Sequence, residues 1–276
     1  MLNILLDPIF IFVFKLDISG AAIATVISQA ASCAYVLRFL FGPIPPIHIT
    51  FGGYDFRLMS RILALGFTPF AIILMDNLMI IALNALLQKY GGSKQGDLLI
   101  AAATIAQSFM LVVTMPMGGI TGGTGSILGY NLGAGRPDRI LEAQKWILGL
   151  CLVYTTFLTM AGQFIPSPFV SIFTKDPAVA KLAVAAIRIC TLGLIPLAIQ
   201  YVVVDGFTGM GMMRYSLPLS FFRKLVYFIP LFIFPAYFGA MSTFLAEPIS
   251  DFIAPIVCSL VYLRRIRFVV GMEPRH

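Results

Sequence analysis

The sequence predicts an all-α polytopic membrane protein, and three observations carry that reading. Hydrophobic residues make up 59% of the 276-residue chain and charged residues only 11%, against about 25% charged in soluble domains. Apolar runs recur along the whole chain, most of them reaching the roughly 20 residues that an α-helix needs to cross a hydrocarbon core ~30 Å thick. The basic residues stand mostly at the ends of these runs and not in a stripe interleaved with aromatics, so the net charge of +7 reads as membrane topology rather than affinity for nucleic acid. The partner these features imply is lipid.

Eight apolar segments follow in order. Met1 to Phe14 is too short to cross the core. Ile18 to Phe41 ends beside Arg38. Ile62 to Leu87 lies between Arg61 and Lys89, and Leu98 to Ile120 follows Lys94. Trp146 to Ile165 begins after Lys145, Val179 to Val204 after Lys175, and Tyr215 to Phe238 after Arg214. Ala240 to Tyr262 ends before Arg264. Charge flanking an apolar run is the signature of a span whose ends sit at the membrane surface. Cys33, Cys151, Cys190 and Cys258 fall inside these runs without CxxC spacing, which argues against a disulfide framework or zinc site. The apolar run at Met1 has no basic region or small-residue cleavage site, so no secretory signal is expected.

Between Arg61 and Lys89 the chain holds one charge, Asp76. A carboxylate at mid-depth costs at least ~2.5 kcal/mol and normally faces a cavity or partner. Asp76 is therefore the first candidate for binding a proton or a cation such as Na⁺, against the plainer role of a protonated acid that packs neighbouring helices. Asn77 stands beside it, and Asn84, seven residues on, shares the face of Asn77. Pro69 is expected to kink the helix before the acid. Met75, Met79, Met115 and Met117 suit an adaptable apolar wall, or ordinary packing. Gln107, Gln200 and Asp205 are candidate cavity groups, or interhelical hydrogen bonders. Glu247 and Asp251, one turn apart on one face, form either a second ion site or a structural pair. Arg223 and Lys224 are expected to snorkel to the cytoplasmic surface. Neither His48 nor His276 is placed for proton relay. An acid that binds a coupling ion when open to one side, and substrate when open to the other, couples the two fluxes through one charge.

Thirteen of the 19 basic residues, Arg223 and Lys224 among them, fall on one side if residues 42–58 are cytoplasmic, and six on the other. The C-terminus is then inside. A repeat supports a wider plan: Pro8-Ile-Phe-Ile-Phe recurs as Pro230-Leu-Phe-Ile-Phe, and across residues 8–38 against 230–260 seven of 31 positions match. The copies lie an even number of crossings apart, as in transporters built from two parallel six-helix halves. On that plan about four helices are expected upstream of this chain.

The strongest local motif runs from Met115-Pro-Met-Gly-Gly through Gly129-Tyr-Asn-Leu-Gly-Ala-Gly-Arg-Pro-Asp-Arg139. A phosphate-binding loop would need a preceding strand and a following Gly-Lys-Ser/Thr, so a tight helix-to-helix connection is the better reading. With Leu2-Asn-Ile-Leu-Leu-Asp-Pro8 and Gly20-Ala-Ala-Ile-Ala-Thr25, this stretch resembles the multidrug and toxic compound extrusion (MATE) transporters, and the resemblance covers essentially the whole chain.

The resemblance implies twelve helices in two six-helix lobes, with this chain holding the end of helix five through helix twelve. Its parts are then 1–41, the last two helices of the N-terminal lobe; 42–61, a cytoplasmic linker; 62–263, the C-terminal lobe; and 264–276, a cytoplasmic tail. It implies export of small amphipathic or cationic compounds across the plasma membrane in exchange for Na⁺ or H⁺, with no other cofactor. It also implies that Asp76 matches a cation-linked acid of the seventh helix. Leu197 and Ala198 stand where some members place a second acid, a departure from a two-carboxylate Na⁺ site. Alternatives are a flippase for lipid-linked oligosaccharide, which calls for several cavity cations, and a chain without transport activity alone. An enzyme is disfavoured, since no His pair or metal-ligand cluster is visible.

Overall fold

In a computed structural model the described residues are 2–42, 52–53 and 55–269, less the side chains of residues 61, 64, 65, 68, 69, 93, 94, 268 and 269. The expectations for His48, His276, Arg275, the Pro69 side chain and half of the 42–61 linker, residues 43–51 and 54, lie outside them. Every regular element among the described residues is helical. Among the described residues seven helices are long and apolar enough to cross a membrane: Asp17–Leu40, Phe70–Gly92, Gln95–Gly133, Pro137–Phe164, Pro177–Gly209, Met213–Phe238 and Ala240–Arg267, with Leu2–Val13 as a shorter apolar helix. They coincide with the eight apolar runs, because in lipid every backbone N–H and C=O must be satisfied within its own helix.

The chain forms two compact units, Met1–Arg61 and Ile62–His276. In the first, α1 (Leu2–Pro8) continues into a π-helical turn and packs on α2 (Asp17–Leu40). α3 (Phe56–Gly123), which belongs to the second unit from Ile62 onward, is broken at Gly92, whose φ of 69° and ψ of −177° turn the chain between two spans. That φ suits glycine, which has no Cβ to clash. α4 (Gly125–Gly133) passes to α5 (Pro137–Phe164) through a turn in which Gly135 takes φ 63° and the Arg136 N–H donates to the Asn131 carbonyl at 2.9 Å. Pro137 occupies the first turn of α5, where its missing N–H costs nothing. The glycine-rich motif is thus the tight connection its sequence predicts.

After the short α6 (Pro166–Phe173), Asp176 caps α7 (Pro177–Cys190) by accepting from the Ala178 N–H at 2.8 Å. A 3₁₀ turn, Thr191–Gly193, joins α7 to α8 (Leu194–Gly209) within one span. α9 (Met213–Phe238) and α10 (Ala246–Val269) complete the unit, and α10 packs on both α8 and α9. The turn at Gly193 has a packing reason: a Cβ there would fall 2.6 Å from the Asp251 Cβ on α10. α4 and α8 approach similarly, since a Cβ on Gly209 would fall 2.6 Å from the Gly125 Cα. Gly125 and Gly129 form the small-xxx-small face that permits such approach in lipid. One apolar core runs through Leu87, Val113, Met117, Ile187, Leu197 and Leu231, and a second gathers around Leu128, Ile140 and Phe207.

Candidate functional site

Charged side chains from four helices of the second unit meet inside its spans. α3 supplies Asp76, α8 Asp205, α9 Arg223 and Lys224, and α10 Glu247 and Asp251. A charge inside hydrocarbon is strongly disfavoured unless paired and hydrogen-bonded, and the pairing here is extensive. Arg223 Nε donates to Asp251 Oδ1 at 2.8 Å and its Nη2 to Glu247 Oε1 at 3.0 Å. Lys224 Nζ donates to Asp76 Oδ1. Thr121 Oγ1, from the second half of α3, donates to Asp205 Oδ2 at 2.5 Å. The i, i+4 spacing of Glu247 and Asp251 presents both carboxylates to one guanidinium, which is planar and carries several donors.

This arrangement corrects the expectation that Arg223 and Lys224 snorkel. Lys224 lies eleven residues into α9, about 16 Å along the axis at 1.5 Å per residue and near the middle of a ~30 Å core. Its side chain is only 5% exposed and that of Arg223 15%. At that depth an ammonium finds a carboxylate sooner than it finds water. Without these two residues the count of basic residues is eleven against six, so the topological bias keeps its direction.

Two cavities open beside the charges. The first, of about 350 Å³, is lined by Asp76, Met79, Leu83, Gln107, Met110, Thr114, Tyr201, Arg223, Tyr227, Phe244 and Glu247 among others. The second, of about 430 Å³, is lined by Asp76, Gln200, Tyr201, Asp205, Thr208, Ser220, Arg223 and Lys224 with several apolar residues. Asp76, Tyr201 and Arg223 border both. The Asp76 side chain is 49% exposed, in contrast to its buried lysine partner. A mainly apolar wall with a few convergent polar groups is the usual chemistry of a small-molecule site.

The candidates of the sequence divide accordingly. Asp76, Met79, Gln107 and Glu247 reach the first cavity, and Gln200 and Asp205 the second. Asp251 is fully buried behind Arg223. Asn77 is exposed, gives its side-chain N–H to the Ile73 carbonyl at 2.8 Å, and borders neither cavity. Met75 and Asn84 also lie outside both, Met115 points away at 70% exposure, and Met117 is sealed in the core. The expected methionine wall is therefore Met79 with Met110, because a helical rotation of about 100° per residue sends the other methionines elsewhere. Leu197 and Ala198 are fully buried in the apolar core.

The sequence alone does not mark Arg223, Lys224, Met110, Thr114, Tyr201 and Tyr227 as residues that line these cavities. For the two cations a signal existed: charges eight and nine residues into the apolar run that starts at Tyr215 lie deep enough to seek a partner within the protein. For the tyrosines and Met110 none did, since apolar runs hold many such residues and only packing selects a face.

Comparison with known proteins agrees with this architecture. The MatE family profile matches residues 72–234. The multidrug export protein MepA of Staphylococcus aureus is 27% identical over 281 residues, covering 98% of this chain and 59% of that protein. An FAD transporter of Shewanella oneidensis is 26% identical over 267 residues, covering 94% of this chain and 58% of that protein. The outward-facing structure of a multidrug resistance MATE family transporter of the MOP superfamily superposes with a TM-score of 0.84 at 22% identity, covering 98% of this chain and 61% of that one. The chain thus spans about three fifths of the length of the proteins it matches. With a profile match over more than half its residues, on an all-helical body of seven apolar spans, this chain belongs to the MatE family.

Proposed function

We propose that this chain carries the ion-coupled half of a secondary active exporter, in which Asp76 binds Na⁺ or H⁺ and exchanges it for a small amphipathic or cationic compound. The observation that carries the reading is the setting of Asp76. It is a half-exposed carboxylate inside a span, bordering two cavities and held by a single ammonium. A mid-depth acid open to water-filled space marks an ion or proton pathway. Met79, Met110, Leu83 and Phe244 give the first cavity an apolar wall that suits varied hydrophobic cations. The relatives named as a multidrug export protein and an FAD transporter support the exporter class.

In this proposal residues 62–263 are the transporting lobe, the plasma membrane is the site of action, and the C-terminus is cytoplasmic. The flippase alternative asks for cations free to bind pyrophosphate. Among the described residues lining the cavities, Arg223 and Lys224 both already hold carboxylates. In cells producing the native protein, Asp76→Asn is expected to abolish gradient-driven efflux of a cationic dye without lowering the amount of folded protein in the membrane. Unchanged efflux would remove Asp76 from the coupling step.

A further inference from the structure

The Asp76–Lys224 pair is unequal, and the inequality points to a role for the lysine. Asp76 is half exposed and meets both cavities, so a cation in either cavity reaches it. Lys224 is 5% exposed, reaches Asp76 from behind and borders the second cavity alone. A cation that takes over the charge of Asp76 competes with the ammonium that Oδ1 already holds. Lys224 cannot then be left unpaired, since a lone charge in this setting costs several kcal/mol.

The second cavity supplies another seat. It is lined, with Lys224, by Asp205, whose carboxylate accepts from the neutral Thr121 hydroxyl, and by Gln200. Gln200 is 4% exposed, and its Oε1 is a buried acceptor with no hydrogen bond. Buried acceptors are nearly always satisfied, and the residue that carries this one lines a cavity together with a carboxylate and an ammonium. Arg223 is not a rival for this part, because Glu247 and Asp251 already hold it.

We infer that Lys224 is a tethered counter-ion with two seats, occupying Asp76 when no cation is bound and moving to Asp205 and Gln200 when a monovalent cation, inorganic or organic, takes its place. The inference rests on the reading of Asp76 as the cation site. Lys224 then sets cation affinity by competition, and the site's charge changes only by the incoming ion.

The test is equilibrium binding of radioactive sodium, and separately of tetraphenylphosphonium, to the full 276-residue chain in lipid nanodiscs. Lys224→Met removes the competitor and is expected to bind at least one of these cations about tenfold tighter, equivalent to 1.4 kcal/mol. Asp205→Asn removes the second seat while leaving the Asp76–Lys224 pair intact, and is expected to bind about fivefold weaker. In the Lys224→Met background Asp205→Asn should weaken binding by a smaller factor than in the native chain, because no ammonium then needs the second seat. Native affinity or weaker in Lys224→Met overturns the inference. Should that variant not fold, native affinity in Asp205→Asn overturns it equally. Asp76→Asn separates the two readings. Binding that survives it removes the cation site and the counter-ion together, whereas binding that it abolishes, with Lys224→Met unchanged, removes the counter-ion alone.

Discussion

Arg223 bridges two carboxylates of α10 from within α9, and Asp251 on the far side of that bridge is fully buried. Removing one partner of such a network strands the others, which costs far more than the pair contributes when intact. Arg223→Met is therefore expected to destabilise the protein by roughly 3–5 kcal/mol, measured as loss of thermal stability of the purified protein. A loss within experimental error would mean that Asp251 and Glu247 are held by other groups. Glu247→Gln should cost less, because that side chain is 23% exposed and its amide can still accept from Arg223. Asp76 as an isolated mid-depth acid is visible in the sequence, since one charge within the mainly apolar residues 62–88 is conspicuous. Its partner is not, because Lys224 lies 148 positions away and adjacency to Arg223 suggests a surface pair.

Helix against helix, α8 shows why small residues decide where the site forms. Its C-terminal end rests on α4 at Gly209, and the turn before its first residue rests on α10 at Gly193. α8 is thereby clamped between the glycine-rich stretch and the helix that carries Glu247 and Asp251. Gly209→Ala would drive a methyl into the Gly125 backbone, where little can yield, and is expected to cost about 1–3 kcal/mol. Gly133→Ala in the same glycine-rich stretch meets nothing within 4 Å and should leave thermal stability within about 0.5 kcal/mol of native. Equal effects of the two substitutions would refute close packing as the reason for Gly209. The motif around Gly129 to Arg139 was legible as a connection from its glycines and Pro137. That its neighbour Gly125 sets the distance to α8 was not, because the partner glycine lies 84 residues on.

Across the membrane, a full span, Gln95–Gly133, separates position 94 from Arg136. Single cysteines placed at Lys94 and Arg136 are expected to react with an impermeant maleimide from opposite sides, with Arg136 cytoplasmic as the eleven-to-six bias of basic residues requires. Labelling of both from one side would overturn the threading. The number, order and approximate limits of the spans were readable from the chain alone, because hydropathy is local and lipid obliges each apolar run to close its own backbone hydrogen bonds. Which charges meet was decided by the fold. A shift of one residue turns a side chain about 100° around its helix, from lipid to cavity, and no local pattern records which faces of α3, α8, α9 and α10 come together. Asp76 therefore announced itself in the sequence, while the pairing of Lys224 and Arg223, the placing of Tyr201 and the two cavities exist only through packing.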